Sequence, residues 1–201
     1  MASQHRYFII NKPYDMVSQF TSSHAVRLLG DLKYAFPEGT HAIGRLDKDS
    51  EGLLLLTTNK KVTKLLFQGP IPHERTYLVQ VSHSVTDETV EKIRKGVTIE
   101  IKGGIEYATS ECKVEKIINP VSLYPFAINQ NAYEPVTWLT ITITEGKFHQ
   151  VRKMTKAVRH KCKRLIRLSI EDLSLDNLQP GEVREIEEEL FFTKLKIKNW
   201  K

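Results

Sequence analysis

Gly44-Arg45-Leu46-Asp47-Lys48-Asp49-Ser50-Glu51-Gly52-Leu53-Leu54-Leu55-Leu56 joins a charged loop to an unbroken apolar strip. Between its glycines the loop carries three acids and two bases, and the leucines behind it read as a buried strand. Such an anchor can hold a carboxylate in a fixed pose while flanking cations keep it ionised. A charged surface turn before a core strand would look the same locally, so the remaining segments decide between the two.

The 201 residues allow one large domain or two small lobes with a substantial core. With 40% hydrophobic and 27% charged residues, the chain is of the globular class rather than disordered or fibrous. No apolar run approaches the ~20 residues of a membrane span. The apolar strip Tyr7 to Ile10 is too short for the core of a secretory signal. Cys112 and Cys162 are too few and too distant for a disulfide framework, so a reducing cytoplasm is expected.

The net charge of +6 is unevenly spread. Lysines and arginines at 147, 152, 153, 156, 159, 161, 163, 164 and 167 fall in one segment that contains no acid. That segment carries +9, which leaves −3 for the rest of the chain. A solvated helix face usually mixes signs, whereas a purely basic block points to a polyanion such as nucleic acid.

Arg6 to Asn11 reads as a strand ended by Lys12-Pro13-Tyr14-Asp15. Ser22-Ser23 is positioned to cap a helix through Val26, Leu29 and Leu32 that stops at Pro37. Leu53 to Thr57 is a buried strand, and Asn59 caps a helix through Leu65-Leu66. Thr76 to Val81 is a strand, and Thr86 opens a helix closed by Gly96. Val97 to Ile101 and Tyr107 to Ile118 read as a hairpin around Gly103-Gly104, and Asn119 to Pro135 as a long loop. Trp138 to Thr144 alternates as a half-buried antiparallel strand. Phe148 to Val158 is helical, with Val151, Met154, Thr155 and Val158 on one face. Strands follow at Leu165 to Ile170 and Gly181 to Ile186, before a helix from Glu187. Mixed elements without regular βαβ alternation predict an α+β fold with a mixed, mostly antiparallel sheet flanked by helices and loops.

Five separated segments fit one pattern. They are Asn11-Lys12-Pro13-Tyr14; the acidic loop with Leu53-Leu54; Arg75-Thr76-Tyr77-Leu78-Val79; Glu145-Gly146-Lys147-Phe148-His149-Gln150-Val151-Arg152-Lys153-Met154; and Leu165-Ile166-Arg167-Leu168 leading to Leu173-Ser174-Leu175-Asp176-Asn177-Leu178 and Gly181. Together they resemble the RsuA-type family of RNA pseudouridine synthases. Tyr14 to Thr21 and Asp172 to Leu178 are most similar to its RluE branch, which modifies large-subunit ribosomal RNA. Gly146-Lys147-Phe148-His149 departs from that branch and resembles other members of the family. The resemblance implies the pseudouridine synthase catalytic fold, with residues 1–201 as a single catalytic domain of two lobes around a central cleft. It also implies that the small S4-type RNA-binding domain of many relatives is missing.

On that resemblance Asp47 is the catalytic aspartate, Arg152 sets its guanidinium against the Asp47 carboxylate, and Tyr77 lies against the flipped uracil. From the residues alone, Asp47, Asp49 and Glu51 are equal rivals. A carboxylate suffices either to attack an electrophilic carbon or to strip a proton, so neither cofactor nor metal is required. Leu46 and Leu168 belong to the pocket wall. Expected RNA contacts are Arg45, Lys147, His149, Gln150, Lys153, Lys156, Arg159, Lys163, Arg164 and Arg167, holding a looped strand whose target base is taken out of its stack. His149, His160 and Cys162 match no zinc spacing, and no phosphate loop for ATP is present.

The implied function is isomerisation of a uridine, in 23S ribosomal RNA or a large-subunit precursor, by a monomer. A non-catalytic ribosomal RNA-binding or assembly factor on the same fold would use the basic block equally well. A glycoside hydrolase built on the three acids would leave that block unexplained and would need two carboxylates set across a sugar cleft.

Overall fold

The computed structural model describes residues 5–69, 71–128, 134–198 and 200. The first half of the chain contains β1 (Tyr7–Lys12), β2 (His41–Ile43), β3 (Glu51–Thr57), α1 (Val62–Phe67), β4 (Arg75–Ser82), α2 (Asp87–Arg94), β5 (Thr98–Glu100) and β6 (Glu106–Ala108). The second half contains β7 (Lys113–Ile117), β8 (Val136–Ile143), α3 (Gln150–Ala157), β9 (Cys162–Ile170), β10 (Leu173–Ser174), β11 (Val183–Ile186) and α4 (Glu188–Lys194). The fold is α+β, in two compact units: Met1–His73 with Ser169–Lys201, and Glu74–Leu168.

In the first unit β1 lies between β11 and β3, antiparallel to both, with Ile9 opposite Leu55 on one side and Arg184 on the other. β2 also pairs with β3, bringing Ile43 opposite Leu55. All seven residues of β3 are buried, which explains an unbroken leucine run where a half-exposed strand would alternate. Tyr7 packs its ring against Phe191 and Phe192 of α4. The side chain of Glu187 caps α4 by accepting the Leu190 N–H at 2.9 Å.

The second unit orders its strands β9-β4-β8-β7. Leu139, Ile141 and Ile143 of β8 turn into a core shared with Val79 and Val81 of β4, Val90 and Ile93 of α2, and Val151 and Met154 of α3. The alternation read in β8 and the apolar face read in α3 are therefore the core-facing sides. Thr86 caps α2 through the Thr89 N–H, and Gly96 ends it at φ +89°. A Cβ on Gly96 would meet the Thr109 carbonyl at 2.2 Å, so this stop needs glycine.

Two expectations are corrected. Residues 22–36 do not form the helix expected from Ser22-Ser23; only a 3-10 turn at Leu29–Asp31 appears. The Ser22 hydroxyl is taken by the His24 N–H, while Val17 donates to the Arg27 carbonyl and Leu29 to the Gln19 carbonyl. Arg27 and Leu29 thus pair back onto residues 17–19, and only short local turns such as Leu32 N–H on the Leu29 carbonyl follow, so no α-helical ladder forms. The expected long hairpin is also shorter: β5 pairs with β6, whereas β7 leaves it to pair with β8. Residues 129–133 of the expected long loop, like residues 1–4, lie outside the described residues.

Candidate active site

In the first unit Asp47 sits half-buried at the head of a turn, its carbonyl accepting the Ser50 N–H at 3.0 Å. Leu46 is buried immediately before it. The Ser18 hydroxyl accepts the Leu46 N–H at 3.0 Å and donates to the Leu46 carbonyl at 2.8 Å. One buried side chain thereby fixes both polar groups of the residue preceding Asp47. Asp49 is exposed and Glu51 is buried at the start of β3, so the three rival acids occupy different environments. Arg45 is exposed.

Beneath the loop, Lys12 is fully buried. Its ammonium donates to the carbonyls of Pro13 at 2.9 Å, Met16 at 2.7 Å and Lys48 at 3.4 Å. Burial pulls its pKa down to about 8, against the opposing pull of Glu51, Asp49 and Asp47. Lys48 sends its own side chain to Asp15 at 2.9 Å. Sequence reasoning assigned no role to Lys12 or Ser18. Neither is marked locally, since Lys12 follows Asn11 at the end of β1 and reads there as the start of a turn.

In the second unit Tyr77 is half-buried on β4 opposite Ile141 and packs against the core. Arg75, two residues before it, is buried and donates to the carbonyls of Thr144 at 3.4 Å and Glu145 at 3.5 Å. Glu145 gathers the loop that enters α3. Its carboxylate accepts from the Tyr107 hydroxyl at 2.5 Å, the Ser110 N–H at 3.0 Å and the Gln150 amide at 2.6 Å. Gln150 in turn accepts the Lys147 N–H at 2.8 Å. Arg152 is half-buried on α3, 3.7 Å from the Cys162 sulfur. Leu168 is half-buried in β9. Tyr77 and Arg152 thus belong to one unit and Asp47 to the other.

The residues expected on the RNA face divide by environment. Lys147, Lys156 and Arg159 are exposed, Lys147 lying over the Tyr107 ring. His149 stacks on an exposed Phe148 at 3.7 Å, with Lys153 over the same phenyl ring. Lys163 pairs with Glu134 at 2.9 Å, and Arg164 donates to the carbonyls of Phe126 and Ile128. Gln150 and Arg167 are each 4% exposed. Gln150 therefore serves the loop internally, and Arg167 stands inside β9.

Residues 6–157 match the family model described as RNA pseudouridylate synthase. The chain is 40% identical over 185 residues to the ribosomal large subunit pseudouridine synthase E of Vibrio parahaemolyticus, spanning 90% of this chain and 74% of that protein. It is 32% identical over 192 residues to the ribosomal small subunit pseudouridine synthase A of Escherichia coli, spanning 94% and 74% respectively. A solved pseudouridylate synthase superposes with a TM-score of 0.76 at 27% identity, over 96% of this chain and 74% of that one. Among the described residues, no helix is long and apolar enough to cross a membrane. A match over three quarters of the sequence, carried by an α+β fold that superposes on a solved synthase, places this chain in the RNA pseudouridylate synthase family, whose reaction is the isomerisation of uridine to pseudouridine.

Proposed function

We propose that this synthase acts as a monomer on one uridine of 23S ribosomal RNA or its large-subunit precursor, with Asp47 as the reacting carboxylate. The similarity to large-subunit synthase E proteins supports that class of substrate. The observation that carries Asp47 is its setting: a half-buried carboxylate on a turn closed by Ser50, behind a residue clamped at both polar groups by Ser18. Asp49 is exposed, and Glu51 is withdrawn into β3.

The reaction breaks N1–C1′, turns the uracil and joins C5 to C1′, with the C5 proton removed and N1 taking up a proton. Nothing is gained or lost overall, so a base or nucleophile with controlled geometry meets the chemical need. Tyr77 supplies a ring and a hydroxyl to the uracil, and Arg152 supplies the cation that favours the carboxylate. Exposed Lys147, Lys156 and Arg159 hold phosphates.

Comparison of wild type with Asp47→Asn, assayed for pseudouridine in a 23S transcript and for RNA affinity, tests this. Product is expected to vanish while binding persists. Unchanged product would refute Asp47. Mapping pseudouridines in cells lacking the protein then names the uridine.

A further inference from the structure

The first unit carries an open cavity of about 370 Å³ next to the Asp47 loop, walled on one side by residues 18–21 and on the other by His41, Ala42, Gly44 and Arg45. None of Asp47, Tyr77, Arg152 or Leu168 lines it. Its volume lies at the lower end of ligand pockets, which run from about 300 to 1,000 Å³. That suits one planar ring system rather than an extended ligand.

The wall combines three chemistries. Phe20 offers a half-buried aromatic ring set edge-on against Phe36 at 5.3 Å, with Phe36 packed in turn on Tyr34 and Phe8. Stacking on such a ring orders little that is not ordered already. Gln19 and Thr21 expose an amide and a hydroxyl, while the Gln19 backbone is fixed by the Leu29 N–H at 2.9 Å. His41 uses Nδ1 on the Gly39 carbonyl at 3.1 Å, which in the neutral ring leaves Nε2 as an acceptor. Arg45 stands exposed at the rim, and the lining contains no acid. Among the lining residues Gly44 has φ +72°, and a Cβ there would meet the Phe67 ring at 2.8 Å, so this position needs glycine. A stacking face, adaptable base-edge partners and an unopposed cation are the means by which proteins hold a splayed-out, single-stranded RNA nucleotide.

We propose that this cavity receives the unpaired nucleobase adjoining the target uridine and reads its identity, with Arg45 on the intervening phosphate. The placing beside the target rests on Asp47 as the reacting carboxylate. Arg45 precedes Asp47 by two residues, at most ~7 Å of extended chain, so a strand held on Arg45 presents its next nucleotide to Asp47.

The test is a coupling cycle between protein and RNA. A 23S fragment carrying the mapped uridine is prepared with single abasic sites at successive positions on either side, and bound to wild type, Phe20→Leu and Gln19→Ala. With wild type, one abasic position is expected to weaken equilibrium binding roughly ten- to a hundredfold, the loss of one stacked base. With Phe20→Leu the same abasic site should cost little more. Gln19→Ala, at an exposed position that leaves the aromatic packing intact, should flatten discrimination among the four bases there. Equal abasic losses in wild type and both variants at every position would overturn the cavity as a base site. Coupling confined to a position remote from the uridine would overturn its placing beside Asp47. Because the readout is binding, retained product in Asp47→Asn would refute the catalytic carboxylate without erasing the coupling.

Discussion

Ser18 and Leu46, 28 residues apart in the chain, share a reciprocal pair of hydrogen bonds in which one hydroxyl both accepts the Leu46 N–H and donates to the Leu46 carbonyl. Both residues are buried, so neither bond competes with water. The pair ties the segment after β1 to the backbone that leads into Asp47, and under the role proposed for Asp47 it makes Ser18 a positioning residue.

Ser18→Ala leaves two buried backbone groups without that partner and should lower stability by ~1–3 kcal/mol. The larger effect is expected on the chemical step. A displacement of about 1 Å in a reacting group can cost on the order of a hundredfold, so kcat should fall by roughly that factor while KM stays near wild type. Steady-state kinetics with a ribosomal RNA fragment, at a temperature where the variant remains folded, checks the split. A rise in KM alone would make Ser18 an RNA contact instead.

Lys12 makes a prediction about pH. Its folded pKa of about 8 lies below the ordinary lysine value of ~10.4, so above pH 8 the unfolded chain holds more protons at this group than the folded one. Its contribution to stability is therefore lowest below pH 8 and rises with pH until the unfolded lysine also titrates, by about 3 kcal/mol across the window. Urea unfolding between pH 7.5 and 10.5 should show wild type gaining relative to Lys12→Met. A constant difference would mean that Lys12 keeps its proton throughout.

The loop entering α3 should fail as a unit. Glu145 accepts from Tyr107, Ser110 and Gln150, and it raises the Tyr107 pKa by hydrogen bonding. Glu145→Gln should lower the transition temperature and return the Tyr107 phenol toward its ordinary range, seen as earlier tyrosinate absorbance in an alkaline titration of wild type against variant. Tyr107→Phe, lacking the phenol, should remove that difference.

Burial divides the basic block into two classes of mutant. On a single strand each phosphate neutralised contributes ~0.7 to the slope of log affinity against log salt. Lys156→Gln and Arg159→Gln, at exposed positions, should each reduce the slope by up to that amount with little change in stability. Arg167→Gln, at 4% exposure, should destabilise the protein and leave the slope unchanged. A reduced slope for Arg167 at full stability would place it on the RNA.

Much of this protein was legible in one dimension because its signals are local. The leucine run of β3, the alternation of β8, the capped α2 and the apolar face of α3 report burial and backbone preference residue by residue. Ordered segments such as Glu145 to Met154 were enough to suggest the family. What stayed hidden depends on partners far away in the chain. Ser22-Ser23 looks like a cap, yet Arg27 and Leu29 bond back to Val17 and Gln19, and that pairing overrides local propensity. Gln150 and Arg167 look like RNA ligands by type, but only packing shows that they are buried. The sequence by itself determined which strands and helices could form and which acids could react, since those follow from side-chain chemistry and period. The tertiary structure alone decided the separate settings of Asp47, Asp49 and Glu51, the burial of Lys12 beneath them and the Ser18 clamp, because desolvation and hydrogen bonding depend on what the rest of the chain brings into contact.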